Sequence, residues 1–131
     1  MIASNWIAVG SGAAAGAWLR WRLGILLNPL FPTIPAGTIA ANLLAGLLVG
    51  ISTEVFSELT GVPSEVRLLV ITGFLGGLST FSTFSAEIVA LLERREYLWG
   101  LAAISIHVVG SLLMTIAGIM IVRTVLAAEV L

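Results

Sequence analysis

Cysteine, lysine and aspartate are absent from the 131 residues, and each absence removes a class of chemistry. Without cysteine there are no disulfides, no thiolate metal sites and no thiol nucleophile, and the redox compartment leaves no mark on the chain. Without lysine the positive charge is all arginine (Arg20, Arg22, Arg67, Arg94, Arg95 and Arg123), and without aspartate the acid is all glutamate. A formal net charge of −1 supplies no basic face, so no nucleic-acid partner is expected. Charged residues make up 10 % of the chain, against roughly 25 % in soluble domains. That is too few to keep a water-facing surface polar.

What the chain has instead is apolar length. It is 59 % hydrophobic, with a mean hydropathy of +1.12. Four apolar stretches, 3–27, 34–57, 66–92 and 98–126, are separated by turn-forming residues: Asn28-Pro29 to Pro35, Gly61 and Pro63, and Glu93-Arg94-Arg95-Glu96. Each exceeds the ~20 residues that carry a helix across a bilayer. The expectation is an all-α membrane protein, one four-span transmembrane domain over 1–131. The early residues are uncharged and the arginines follow the first apolar run, the reverse of a secretory signal.

Arginine bias orients membrane helices. If four helices alternate, Arg20, Arg22, Arg94 and Arg95 fall on one side, and Arg67 and Arg123 on the other. The split is weak, so either the richer side faces the cytoplasm or the chain inserts both ways. In the second case two opposed copies can pair about a two-fold axis in the membrane plane. The chain shows no internal repeat, so such inverted symmetry has to come from dimerisation.

Polar residues inside a span cost energy unless partnered, which makes them functional candidates. Asn42 lies mid-way along the second segment, with Thr38 one turn before and Gly46 and Gly50 following at four-residue steps. It reads either as helix-packing glue or as an amide offering two N–H donors to an anion. In the third segment the pair Gly76-Gly77 precedes a run of hydroxyls from Ser79 to Ser85. Such a stretch is a poor lipid-facing helix, and a break is expected near Gly76–Ser79. Carbonyls freed there suit a cation, and freed N–H groups at a half-helix N-terminus suit an anion; the plainer alternative is a close glycine crossing with hydroxyls bonded to their own helix.

Phe81 and Phe84 share a helical face. Aromatics in membrane helices usually pack, yet a ring edge is positive and is a weak anion ligand. His107, Ser111 and Thr115 form a polar stripe at four-residue spacing on the fourth segment, suited to a water- or ion-lined groove. No second histidine exists to share a metal. Glu87 lies about 12 Å along the helix from its segment's middle, where a carboxylate is cheap. Arg20 is deeper and must snorkel or face an aqueous vestibule, where it would concentrate anions.

The run Gly73-Phe74-Leu75-Gly76-Gly77-Leu78-Ser79-Thr80-Phe81-Ser82-Thr83-Phe84-Ser85-Ala86-Glu87 resembles the signature of the Fluc (CrcB) fluoride channels. The stretches Gly16–Trp21, Gly37–Leu43 and Gly110–Thr115 match in order, so the resemblance covers essentially the whole chain. It implies a passive, fluoride-selective channel, not an enzyme, that exports F⁻ from the cytoplasm and protects against fluoride toxicity. It further implies an antiparallel, dual-topology homodimer in the bacterial inner membrane, with two pores and third helices broken near mid-membrane. The Gly76 and Ser79 main-chain carbonyls of both copies would hold a structural Na⁺. Family members often have Thr at the Ser79 position, a small departure if the ligand is a carbonyl. Phe81 and Phe84 would turn ring edges to F⁻, Asn42 would donate to the ion or orient the rings, and Ser111 and Thr115 would belong to a polar track. Arg20 would stand near a vestibule. His107 replaces a serine found in some members and inherits no role.

The rival class is a small proton-coupled multidrug exporter, which also has four spans. It needs a carboxylate deep in the first span, and 3–27 contains none. A non-transporting assembly protein fits the glycine faces but not the hydroxyl-rich third segment.

Overall fold

In hydrocarbon a backbone must satisfy its own polar groups, and long runs of Leu, Ala, Ile and Val with few breakers do so as helices. The computed structural model describes residues 2–59 and 61–129. Helix α1 spans Ile2–Leu27, and a short 3₁₀ turn follows at Asn28–Leu30. Helix α2 spans Ala36–Glu58. Helix α3 (Ser64–Arg67) runs through a π-helical segment, Leu68–Leu75, into α4 (Gly76–Leu78). After a break comes α5, Phe81–Glu93, and after a tight turn α6, Tyr97–Ser105. A second π segment, Ile106–Gly110, joins α6 to α7, Ser111–Glu129. No strand occurs among the described residues.

Four long helical units therefore occupy the four expected stretches, with one difference in span count. Three units are long and apolar enough to cross a membrane: Ala36–Glu58, Ser64–Glu93 and Tyr97–Ala128. Helix α1 has the length, at 26 residues, but Ser4, Asn5, Ser11, Arg20, Arg22 and several glycines dilute its apolar content.

The break falls at the C-terminal edge of the expected stretch. Gly76 is fully helical, at φ −65° and ψ −35°. The chain leaves the helix at Ser79 (φ −74°, ψ 153°) and Thr80 (φ −150°, ψ 112°). The reason is local capping chemistry. Ser79 N–H still donates to Leu75 O at 3.0 Å, closing the last turn of the first half-helix. Thr80 then acts as N-cap of the second, its Oγ1 accepting the Thr83 N–H at 3.1 Å.

Glycines set how closely the helices approach. A Cβ on Gly73 would meet Val9 O at 2.8 Å, and one on Gly77 would meet Ala13 Cα at 3.0 Å. Gly12 and Gly16 face the same seam from α1, so the first half-helix lies backbone to backbone against it. Gly46, Gly50 and Gly118 do the same between α2 and α7. This is small-residue packing of the membrane kind, driven by van der Waals contact. Ala41, Ala45, Leu75 and Leu78 form the buried centre between α2 and the half-helix, while Ile34, Phe84, Ile88, Leu91 and Ala103 bury α5 against α6. An ion pair, Arg123 Nε to Glu54 Oε1 at 2.7 Å, ties α7 to α2 near one end.

Candidate functional site: a polar groove at a broken helix

The break exposes main-chain groups that a continuous helix would have paired. Thr80 N–H, which would have donated to Gly76 O, donates instead to Asn42 Oδ1 at 2.7 Å. Asn42 Nδ2 returns a bond to Thr80 O at 3.1 Å and reaches His107 Nδ1 at 3.0 Å. One amide on α2 thus splints the broken helix and ties it to the last helix. Gly77 O, freed in the same way, accepts from Arg20 Nε at 3.1 Å. A cation at the carbonyl end of a half-helix also meets the negative end of its dipole. Arg20 is therefore held part-buried against the break.

Beside the break is a groove of about 420 Å³, whose lining includes Asn42, Gly76, Ser79, Phe81, Phe84, His107 and Ser111. Phe81 is 78 % exposed and Phe84 only 8 %. Their centroids are 5.5 Å apart with planes tilted by 58°. Phe84 in turn lies 4.7 Å from the His107 ring. A second hollow, of about 410 Å³, lies behind the break and is lined by Arg20, Asn28, Thr38 and Thr83. Thr80 lines both.

The structure thus gathers Asn42, Phe81, Phe84, Ser111, Gly76 and Ser79 around one groove. Arg20 belongs to the opposite hollow, and Thr115 lies in neither. The Thr115 hydroxyl is within hydrogen-bond distance of Gly46 O (3.0 Å) and Ser111 O (2.9 Å), bridging the two helices. The Ser79 hydroxyl donates to Leu75 O at 2.9 Å, so its proton is spent on its own helix. Glu87 Oε1 accepts from Thr38 Oγ1 at 2.6 Å. Thr80 had no role of its own in the sequence, although threonine is a preferred N-cap residue at the start of a helix. His107, read only as part of a polar stripe, is tied to Asn42 65 residues away, a link that sequence spacing cannot show.

Chemically the groove combines ring surface, hydroxyls and neutral N–H donors, with no charged residue among those that line it. Such a lining can replace the water around a small ion without trapping it by full charge. The broken, glycine-seamed helix and the uncharged groove define a helical membrane protein built around irregular backbone at membrane depth. Residues 7–119 match the model of a family described as CrcB-like protein, Camphor Resistance (CrcB), and the chain belongs to that family. It is 60 % identical over 116 residues to a "Fluoride-specific ion channel FluC" of Nitrosospira multiformis, covering 88 % of this chain and 91 % of the relative. It is 57 % identical over 113 residues to a protein of the same name from Nitrosomonas europaea (86 % and 89 % covered). A third such protein, from Ralstonia pickettii, is 52 % identical over 124 residues, covering 95 % of this chain and 98 % of the relative.

Proposed function

We propose that the protein is a fluoride-selective passive ion channel that lets F⁻ leave the cytoplasm and so protects the cell from fluoride toxicity. The observation that carries this reading is the 60 % identity, over nearly the whole chain, to a protein named as a fluoride-specific ion channel. The function is passage, and the protein is not an enzyme. The proton-coupled exporter gains no support: α1 carries no carboxylate, and Glu87 is engaged by Thr38.

The working unit is a homodimer of antiparallel copies in the bacterial inner membrane, each with four spans. At ~1.5 Å per residue, the 26 residues of α1 reach about 39 Å, enough to cross beside its glycine seam. What supports self-association is a polar face with no cover in the single chain. Thr72, Gly76, Ser79, Phe81 and Ser82 are all exposed near the middle of a span. Gly76 adds a specific clue, because a Cβ there would meet nothing nearer than Ile71 O at 3.8 Å. Nothing within the chain requires a glycine at that position, so the close approach comes from outside.

That same place fits a structural Na⁺. Thr80 N–H is diverted from Gly76 O to Asn42, and Ser79 is exposed and extended at the break. The carbonyls of Gly76 and Ser79 would hold the ion, supplying hard oxygen ligands at the dimer centre. Phe81 and Phe84 would turn ring edges toward F⁻, with Asn42 orienting the break beside them and Ser111 continuing the polar track. Thr115 would join that track only by releasing its bonds to the carbonyls of Gly46 and Ser111. Arg20, beside the second hollow, would draw anions toward the break.

The test is fluoride efflux from liposomes holding the purified protein under an imposed potential. Rapid electrogenic fluoride flux, with chloride excluded and no proton coupling, is the expected result. Absence of fluoride flux from a folded protein refutes the reading.

A further inference from the structure

Two buried side-chain polar atoms among the described residues have no hydrogen-bond partner, Asn5 Oδ1 and His107 Nε2. The second lies beside the groove. His107 is 5 % exposed and belongs to the π segment Ile106–Gly110, a distortion often found at functional positions.

Its protonation pattern follows from its neighbours. Thr80 N–H can only donate, so the Asn42 atom 2.7 Å away must be the oxygen. The amide orientation is then fixed, and Nδ2 faces both Thr80 O and His107 Nδ1. An amide nitrogen can only donate, so Nδ1 must present its lone pair. The imidazole is therefore neutral, with its one N–H on Nε2. Two main-chain atoms of the broken helix thus select the tautomer of a histidine on another helix. The donor so created is buried and unpaired, on a residue lining the groove with Phe84 and Ser111.

We infer that His107 Nε2–H is a further fluoride-binding donor in the groove, held in the donating tautomer by Asn42 and the helix break. The inference rests on the fluoride-channel reading. A neutral N–H suits a conducting site: it replaces one water of the ion's shell without the full charge that would hold the ion in place.

The chain contains a single histidine, so ¹⁵N-histidine labelling of the full-length protein in liposomes gives one unambiguous ring. The expected spectrum has a protonated Nε2 and an unprotonated Nδ1. Sodium fluoride should shift the Nε2–H resonance, and sodium chloride at the same ionic strength should not. Conversely, an Nδ1–H tautomer or an imidazolium overturns the inference. So does an Nε2–H resonance that ignores fluoride while the same preparation conducts it, which would assign the donor to a trapped water. In flux assays His107→Phe should slow fluoride efflux about tenfold, the effect of one lost hydrogen bond of ~1.4 kcal/mol. His107→Gln, which keeps an N–H donor, should recover part of the rate. If His107→Phe fails to assemble, the wild-type titration still decides. Loss of all fluoride conduction in the wild type would overturn the channel reading itself.

Discussion

Replacing Asn42 by leucine removes three hydrogen bonds while nearly conserving side-chain volume. The lost contacts are the 2.7 Å bond from Thr80 N–H, the 3.1 Å bond to Thr80 O and the 3.0 Å bond to His107 Nδ1. Side-chain hydrogen bonds within membranes average about 0.6 kcal/mol, and typical intramolecular ones about 0.5–1.5 kcal/mol. Three of them give about 2–4 kcal/mol. The upper part of that range is favoured because Thr80 and His107 are buried and their freed groups have no water to turn to. The measurement is reversible unfolding of the purified protein in mixed micelles, followed by helical circular dichroism. Asn42→Leu should unfold at a clearly lower denaturant fraction. Asn42→Asp keeps an acceptor for Thr80 N–H but loses both donors, and should also be destabilised. Fluoride efflux should fall in both. A loss below about 0.5 kcal/mol for Asn42→Leu, with normal flux, would refute the claim that this amide splints the break.

Phe81→Ile should barely change stability, since that ring is exposed, while Phe84→Ile should cost under ~1.5 kcal/mol as a hydrophobic swap in the core. Both should cut fluoride flux severely, and a folded double variant with near-normal flux would exclude the rings as ion ligands. Gly77→Val should destabilise the single chain, because its Cβ runs into Ala13, whereas Gly76→Val should leave the fold intact and abolish dimer elution and Na⁺ dependence. Ser79→Ala should leave the Na⁺ site largely unchanged; equal effects at Gly76 and Gly77 in the fold assay would count against the dimer-centre assignment. Reporter fusions at the C-terminus should find it on both sides of the membrane, and two lysines added beside Arg67 should bias insertion and lower activity unless an oppositely biased partner is co-expressed. A single orientation in the unmodified protein contradicts the antiparallel dimer.

The helices were legible because apolar length and proline–glycine punctuation act locally. Thus 34–57 and Ala36–Glu58 differ by a residue or two. The break was legible and falls at the C-terminal edge of the expected stretch, at Ser79 and Thr80, but the two glycines are not its cause. Gly77 is small so that α1 can touch it, Gly76 has room for a Cβ in ordinary contact with Ile71 O, and the hydroxyl of Thr80 starts the new helix. Composition cannot separate a glycine that bends a chain from one that admits a neighbour. Arg20 was read as snorkelling or facing a vestibule, and its bond to Gly77 O was out of reach because a partner 57 residues away is invisible in sequence. The same distance problem hid the Asn42–His107 link, whereas Asn42 itself stood out because an amide at mid-span demands a partner.

The seam between α1 and the first half-helix is made of glycines, alanine and peptide groups, with Gly12, Gly16, Gly73 and Gly77 at its closest points. None of its members can gain or lose a proton, and none depends on counter-ions. Fluoride enters cells as neutral HF when the surroundings turn acid, so the protein is most needed when carboxylates and imidazoles elsewhere are changing charge. This seam of van der Waals contact keeps its shape through that change, while neutral Asn42 and the always-charged Arg20 hold the break itself by hydrogen bonds. Acidification can then alter what the groove binds without loosening the frame that holds it.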